Sequence, residues 1–292
     1  MNAETIAIAL GGKRAGSDWM ARCPAHSDRT PSMSLADGDT GNVVVCCHAG
    51  CPQEAVIAAL RDKGVWPGKS DIERPDPALI ARECLKRERE AQARIDYAVG
   101  LWRQADPAAG TPVESYLRWR GIMLPVPETI RFVPKMKHRD GGVWPSQIAV
   151  VTDGMSNTPV GVHRTYLAPD GAGKAPVSPA KMMLGRCRGG AVRLAPTDNE
   201  VLIGEGIETT LSVMQVTGKP GWAALSTSGM TALCLPDYLT EITILADGDP
   251  PGRDAANTAA GTWAREGRNV RIAHAPDGQD FNDRLMAAEH TA

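Results

Sequence analysis

Short apolar runs alternate with helix-length stretches along the last third of the chain, from Glu200 onward. The runs are rich in Val, Ile and Leu, and each is followed by a polar turn. This alternation is typical of parallel strands covered by helices, so it predicts an α/β sheet in the order strand, helix, strand, helix, strand, helix, strand. The clearest predicted strands cover residues 201–203, 242–245 and 270–272.

The pattern upstream is less regular and predicts several smaller parts. Residues 54–60 have the apolar spacing of a short helix, and residues 67–77 are rich in Pro, Gly and Asp, which indicates a linker. A long helix with a patchy apolar stripe is predicted from about 78 to 104. Residues 105–197 combine short apolar runs with Gly and Pro turns and predict a mixed α+β region.

The composition is that of an ordinary globular protein, with 42% hydrophobic and 23% charged residues in a chain of 292. No apolar stretch approaches the roughly 20 residues that span a bilayer, and residues 1–12 lack the basic start of a signal peptide. We therefore expect no membrane partner. Seven cysteines, four of them between Cys23 and Cys51, favour a reduced, cytoplasmic protein that binds metal.

The net charge of −2 conceals an uneven distribution. Residues 103–197 carry 13 basic and 6 acidic side chains, a net of +7, whereas residues 198–292 carry 6 and 14, a net of −8. A basic middle beside an acidic end is typical of a polyanion groove next to a metal-binding edge. Charge alone leaves open the alternative of a surface with no special partner.

Two close Cys/His pairs occur in the first 51 residues, Cys23-Pro-Ala-His26 and Cys47-His-Ala-Gly-Cys51. Because Zn²⁺ takes four tetrahedral N or S ligands, two such turns can hold one structural ion and so fold a module too small for its own core. The ligands that we predict are Cys23, His26, Cys47 and Cys51. Cys46 would face the other side of a strand and be a small core residue. His48 is a further substitute, and buried thiols without metal are the alternative.

Carboxylates follow each of the three clearest predicted strands. They are Glu205, Asp247, Asp249, Asp280 and Asp283. Because ligand groups gather at the carboxyl ends of parallel strands, we expect these acids to converge at one edge of the sheet. They would repel one another unless a cation lay between them. Oxygen-only ligands favour Mg²⁺ or Mn²⁺, whose natural partner is a phosphate.

The segment Asp247-Gly-Asp249-Pro-Pro-Gly-Arg-Asp has two other interpretations. A calcium loop of the EF-hand type would need Asp or Asn at its fifth position and Glu at its twelfth, where this chain has Pro251 and Thr258. That interpretation is excluded. A plain Asp-Gly surface turn remains as the alternative to a metal ligand.

These residues together resemble the Toprim domain shared by bacterial-type DNA primases, topoisomerases and some nucleases, in which a Glu-Gly turn precedes an Asp-x-Asp turn on a small parallel sheet. The Cys-Pro-x-His motif, Thr30-Pro31-Ser32 and the closing Gly-Cys resemble the CHCC-type primase zinc finger. Their order is similar to that of the primases carried by phages, plasmids and other mobile elements.

The resemblance implies a multi-domain α/β protein. Its parts would be a zinc-binding finger (1–66), a linker and long helix (67–104), a basic mixed α+β domain (105–197) and a Toprim catalytic domain (198–292). The implied activity is that of a DNA-directed RNA polymerase, a primase that makes short RNA primers on single-stranded DNA by metal-dependent nucleotidyl transfer.

The same resemblance implies roles for the acids. The catalytic residues would be Glu205, Asp247 and Asp249. With Asp280 they would hold one or two Mg²⁺ or Mn²⁺ ions, and Asp283 would assist. The chain departs from cellular primases at Thr209, where they have an aspartate, and at Asn282, which replaces a second late aspartate. These departures leave the number of catalytic ions open.

The basic middle segment is expected to bind the template and the nucleoside triphosphates. The candidates are Lys135, Lys137, Arg139, Arg164, Lys174, Lys181, Arg186 and Arg188, although each is also compatible with a solubilising surface. Trp119 and Tyr166 are possible base-stacking residues. For Trp119 we expect burial in the core instead.

Two other classes of function remain compatible with the sequence, a Toprim-type metal-dependent nuclease and a non-catalytic factor that binds single-stranded DNA. A topoisomerase is disfavoured because none of the four tyrosines lies in a context that indicates a nucleophile. The glycine-rich stretch before Lys174 lacks the spacing and the Ser/Thr of a P-loop. We therefore expect a helicase, if one delivers the template, to be encoded separately.

Overall fold

The computed structural model describes residues 2–16, 18–38, 42–66 and 77–289. The chain divides into two compact units, Met1–Arg82 and Glu83–Ala292. The predicted linker falls outside the described residues, except for Pro77. None of the helices in the described ranges combines the length and the apolar character that a membrane span needs.

The first unit is built on an antiparallel sheet with the strand order β1-β2-β3-β4. Its elements are α1 (Ala3–Ala9), β1 (Lys13–Ala15), β2 (Asp18–Ala21), β3 (Met33–Asp37), β4 (Val43–Cys47) and α2 (Gln53–Asp62). Asn2 precedes helix α1, and its side chain accepts a hydrogen bond from the Thr5 N–H at 3.0 Å and so caps the helix. Ile6, Met33 and Leu60 are fully buried in the small core that the two helices share with the sheet.

The second unit contains most of the regular structure. Its elements are α3 (Pro77–Gln104, which begins before the boundary), β5 (Asp106–Pro107), α4 (Pro112–Trp119), β6 (Ile130–Lys137), β7 (Val143–Asp153), β8 (Pro159–Tyr166), β9 (Lys181–Gly185), β10 (Gly190–Arg193), β11 (Glu200–Gly204), α5 (Ile207–Thr217), β12 (Gly221–Ala223), α6 (Thr227–Ala232), β13 (Glu241–Ala246), α7 (Pro250–Arg265), β14 (Asn269–His274) and α8 (Phe281–Glu289).

All strands described in this unit form one ten-stranded sheet. The strands β14-β13-β11-β12 are parallel, as the alternation of strands and helices predicted. Strand β10 then pairs antiparallel with both β12 and β7, and β6, β5, β8 and β9 extend the antiparallel part. The predicted domain boundary at residue 198 therefore falls between two strands of a single sheet, and the domain bounds themselves stay a prediction.

Two buried tryptophans stabilise the parallel part of the sheet. Trp263 on α7 is 1% exposed and donates its indole N–H to the Leu233 carbonyl at 3.2 Å. Trp222 on β12 is fully buried under the Arg193 guanidinium, which lies 4.0 Å from the ring centroid. Truncating a buried tryptophan to alanine costs about 3–5 kcal/mol, so each ring contributes strongly to the fold.

Two expectations about aromatic residues were wrong. Trp119 is 48% exposed, because it ends α4 beyond the buried stripe of Val113, Tyr116 and Leu117. Tyr166 is fully buried, and its O–H donates to the Lys137 carbonyl at 3.0 Å, so its ring is not available to stack on a base.

Candidate functional site

The four residues predicted to bind zinc lie together in the first unit. Their ligand atoms are all within 4.8 Å of one another, and His26 Nδ1 lies 3.2 Å from Cys51 Sγ. Cys23 and His26 follow β2, whereas Cys47 ends β4 and Cys51 precedes α2, so two turns supply two ligands each. Three sulfurs and one nitrogen fit a tetrahedral structural zinc ion. The group is therefore a potential zinc site.

The expectation that Cys46 is a core residue was wrong. Exposure alternates along β4, and Cys46 is exposed between the buried Val45 and Cys47, because it points to the opposite face of the strand from these two residues. The other alternative ligand, His48, is also outside the group, and its Nε2 lies 3.1 Å from Ser34 Oγ.

The thiols of this group differ in acidity. Desolvation opposes the ionisation of Cys47, but the backbone N–H groups of Cys51 and Ala49 outweigh it and lower the pKa of Cys47 to about 6. Desolvation raises the pKa of Cys23 to about 11. Because the thiolate is the form that binds zinc, Cys47 is the thiol best prepared to receive the ion.

Asp28 holds this group from outside. Its Oδ2 accepts hydrogen bonds from the Cys23 N–H at 2.8 Å and the Ser32 hydroxyl at 2.7 Å, and the Ser32 hydroxyl is the main reason that the pKa of Asp28 is lowered. Its Oδ1 lies 3.7 Å from His26 Nε2. A carboxylate on that side of the ring favours a proton on Nε2 and leaves Nδ1 facing the sulfurs, as in other metal-bound histidines.

The predicted acids converge in the second unit, at the carboxyl ends of the parallel strands. Glu205 follows β11, Asp247 follows β13, and Asp280 precedes α8. All three line one cavity of about 200 Å³. The residues that line it are Arg120, His163, Lys174, Lys181, Glu205, Gly206, Ile207, Glu208, Thr209, Leu225, Asp247 and Asp280. Asp249 is exposed beside the cavity and contributes to the raised pKa of Glu205.

Two of these acids also begin helices. Asp249 Oδ1 accepts a hydrogen bond from the Gly252 N–H at 2.8 Å and caps α7. Asp280 Oδ1 accepts from the Asp283 N–H at 2.8 Å, and Asp283 Oδ2 accepts from the Asp280 N–H at 3.1 Å, which is the reciprocal pattern of a capping box. Asp283 thus fixes Asp280. The positive end of each helix dipole partly offsets the repulsion among the acids.

Gly248 brings the two acidic turns into contact. Its N–H donates to the Gln279 carbonyl at 2.9 Å, and its own carbonyl accepts from the Gly278 N–H at 3.0 Å. A Cβ at this position would lie 1.8 Å from the Pro276 carbonyl oxygen, which no side chain tolerates. The glycine between Asp247 and Asp249 is therefore required for the close approach of the Asp280 turn.

The electrostatics of the cavity favour a bound cation. Desolvation, followed by repulsion from Glu205, Asp280 and Asp249, raises the pKa of Asp247 to about 7. Desolvation and then Asp249 raise the pKa of Glu205. Among the described residues, Asp247 Oδ1 is buried without a hydrogen-bond partner. A buried carboxylate oxygen that lacks a donor fits a divalent cation, and the all-oxygen donor set fits Mg²⁺ or Mn²⁺.

Sequence reasoning missed Glu208, Arg120 and His163, which also line the cavity. Glu208 lies in the first turn of α5, only three residues after Glu205, and this closeness in the chain was the one signal that could have identified it. Arg120 and His163 come from distant segments and left no such signal. Desolvation, followed by repulsion from Lys181, lowers the pKa of the buried His163 to about 4, so its ring is neutral at pH 7.

The eight basic residues predicted to bind nucleic acid do not form one cluster. Of them, only Lys174 and Lys181 line the cavity. Lys174 is exposed along its side chain, yet desolvation and then Lys181 lower its pKa. Arg186 lies 3.6 Å from Asp153 in an exposed ion pair. The others are Lys135, Lys137, Arg139 and Arg188, which are exposed, and Arg164, which is half-buried. Their roles stay predictions.

Of the two departures from the primase pattern, the one at Asn282 has a structural explanation. Thr209 is buried in the first turn of α5 and lines the cavity. Asn282 is fully buried, and its amide donates to the Arg120 carbonyl and to Ser212 Oγ, both at 2.8 Å. An amide suits this position because a carboxylate cannot donate to those two oxygens.

Comparisons with known proteins agree with this architecture. Residues 200–290 match the Toprim domain model, and residues 92–194 match a domain of unknown function (DUF7146). A DNA primase of Myxococcus xanthus is 29% identical over 124 residues, which are 38% of this chain and 19% of that protein. The chain therefore matches less than a fifth of the length of that relative.

Two solved structures are also similar. A structure of the DnaG catalytic core is 17% identical in sequence, with a TM-score of 0.46. The match covers 66% of this chain and 75% of the DnaG chain. A structure of the Aquifex aeolicus primase, with its zinc-binding and RNA polymerase domains, is 15% identical, with a TM-score of 0.42. The match covers 97% of this chain and 79% of the Aquifex chain. From the domain match and the primase relative, the predicted C-terminal Toprim domain and the resemblance to DNA primases are confirmed.

Proposed function

We propose that this protein is a primase-like nucleotidyltransferase, which joins ribonucleotides into short primers on single-stranded DNA. The observation that carries the proposal is the cavity in which Glu205, Asp247 and Asp280 face a set of cationic side chains at the edge of the Toprim sheet. An acidic edge suits divalent ions, and the cations beside it suit the phosphates of a nucleotide.

In the proposed reaction the 3′-hydroxyl of the growing primer attacks the α-phosphate of the next nucleoside triphosphate, and pyrophosphate leaves. The donors for one or two Mg²⁺ or Mn²⁺ ions would be Glu205, Asp247, Asp249 and Asp280. Such ions, when bound, neutralise charge on the phosphates and on the leaving oxygen. Arg120 and Lys174 would orient the triphosphate, since both line the cavity from outside the acidic edge.

The zinc-binding unit would contribute to binding of the DNA template. Its ion would stabilise a fold with a small core, and the exposed Arg22 and Arg29 beside the Cys23–His26 turn would contact the DNA backbone. A separately encoded helicase stays a prediction.

The test is incubation of the protein with single-stranded DNA, labelled ribonucleotides and Mg²⁺ or Mn²⁺. We expect short RNA products from the natural sequence. Glu205→Gln and Asp247→Asn should each lower the yield by roughly 100-fold or more, the typical loss when a preorganised electrostatic group is removed. The matched control is Asp254→Asn, an exposed acid on α7 outside the cavity, which should keep full yield.

The same assay separates the competing functions. Loss of labelled DNA without new RNA would assign a Toprim-type nuclease, and DNA binding without either product would assign a non-catalytic factor. An unchanged primer yield in both cavity variants would show that the active site lies elsewhere.

A further inference from the structure

Glu208 forms a buried charged network that the proposed reaction does not use. Its side chain is 5% exposed, and its carboxylate accepts hydrogen bonds from the Tyr116 hydroxyl at 2.7 Å and from Lys181 Nζ at 2.9 Å. The three residues come from α5, α4 and β9, so the network joins three elements that are distant in the sequence. Desolvation opposes its charge, but Lys181 and Tyr116 outweigh this and hold the pKa of Glu208 well below its usual range.

The ammonium held by Glu208 lies within electrostatic reach of the acidic edge. Lys181 lines the same cavity as Glu205 and Asp247, and its charge acts to lower the pKa of both. An ammonium in this place stabilises the ionised acids, but it also repels any divalent cation that they bind. Glu208 opposes that repulsion, because its charge compensates that of Lys181 at a distance of 2.9 Å.

We infer that Glu208 is a positioning residue that, with Tyr116, holds and neutralises Lys181 and thereby sets the affinity of the acidic cluster for divalent cations. The inference rests on the proposed function in taking Glu205, Asp247 and Asp280 as the ligands of the ion. By Coulomb's law with the dielectric constant of water, any unit positive charge at a separation of about 6 Å from a divalent ion weakens the binding of that ion about tenfold. Removal of the Glu208 charge should therefore weaken the binding of the divalent cation, and removal of the Lys181 charge should strengthen it.

The experiment measures Mn²⁺ binding to the zinc-loaded protein by electron paramagnetic resonance of the free ion, without nucleotide. Glu208→Gln leaves Lys181 uncompensated and should weaken Mn²⁺ binding about tenfold. Lys181→Met leaves Glu208 uncompensated and should strengthen it. The double variant should return close to the natural affinity. Tyr116→Phe removes a hydrogen bond but no charge, and should change the affinity by less than about twofold.

Other outcomes would overturn the inference. If the ion pair is purely structural, every variant should have a lower melting temperature. The Mn²⁺ affinity would then be unchanged in all variants or weaker in all of them. Circular dichroism checks that each variant is folded. If the Lys181→Met variant is unfolded, Lys181→Gln takes its place. Absence of Mn²⁺ binding by the natural sequence would also overturn it.

The inference and the proposed function can fail separately. Opposite shifts of Mn²⁺ affinity in a protein that makes no primers would support the role of Glu208 and contradict the primase activity. Primer synthesis that depends on Glu205 and Asp247, with equal Mn²⁺ affinities in all Glu208 and Lys181 variants, would contradict only the inference.

Discussion

Gly248 shows how a residue without a side chain can control a charged site. Asp247 and Asp249 on either side of it carry the chemistry, but the backbone hydrogen bonds of Gly248 to residues 278 and 279 fix the distance between the two acidic turns. The acids could be predicted, because they follow apolar runs that form strands. The approach of the glycine to the Pro276 carbonyl could not be predicted, because that contact depends on how two loops pack.

Gly248→Ala is therefore expected to separate the two turns. The added methyl group would overlap the Pro276 carbonyl oxygen, which is backbone and cannot move aside as a flexible side chain would. We expect a loss of about 1–3 kcal/mol in the free energy of unfolding, measured by urea denaturation, together with loss of Mn²⁺ binding.

Gly261→Ala provides the control for this substitution. Gly261 lies within α7, and a Cβ there meets no atom within 4 Å. Alanine should leave Mn²⁺ binding intact and stabilise the helix by up to about 1 kcal/mol. Equal stability and equal Mn²⁺ affinity in the two variants would contradict the role assigned to Gly248.

The candidate site combines residues at the ends of strands with residues from distant elements. Only the residues at the strand ends could be predicted from the sequence. Strand positions in β11 and β13 followed from apolar runs, and so did the placement of Glu205 and Asp247 at their carboxyl ends. Arg120, which follows α4, and His163 on β8 could not be predicted, because tertiary packing brings them to the cavity from distant parts of the chain. Cys46 was misplaced because the alternation along β4 predicted two faces but did not show which of them would be buried.

The network that joins α4, α5 and β9 should make stability depend on pH in acid. The pKa of Glu208 is lowered in the folded protein from its ordinary value of 4.5, so its contribution is fully present above about pH 4.5 and is lost as the pH falls further. Glu208→Gln should cost about 2 kcal/mol at pH 7, a moderate value because the partner Lys181 is 37% exposed.

The measurement is the free energy of unfolding of both proteins between pH 3 and pH 7, by urea denaturation. We expect the difference between them to be constant near neutral pH and to shrink as the pH falls below about 4.5. Glu128→Gln, an exposed carboxyl in the same unit, should show no such change. A difference that stays constant down to pH 3 would mean that Glu208 does not carry a lowered pKa.

At the scale of the whole molecule, one sheet connects the basic middle segment with the acidic C-terminal one. Strand β10 belongs to the middle segment but pairs with β12, in the register Val192 with Ala223 and Arg193 with Trp222. Periodicity could predict each strand, but it could not predict this antiparallel pairing, because partner choice depends on contacts between distant segments.

A fragment of residues 198–292 is expected to be insoluble or aggregated. Without β10, strand β12 becomes an edge that exposes its backbone groups, and Trp222 loses the cover of Arg193. A fragment of residues 83–292 retains the sheet and should be monodisperse. Size-exclusion chromatography compares the two, and a folded, monomeric 198–292 fragment would show that the sheet is divisible at this point.

A chain segment that shares one sheet is expected to melt as one cooperative unit. In a random mutant library, inactive alleles should then gather not only at the carboxylates but also at the joint of β10 and β12, where a disrupted Trp222 would unfold the scaffold that holds them. Activity alone would not tell the two kinds of allele apart. The melting temperature would, because only alleles at the joint should lower it by many degrees.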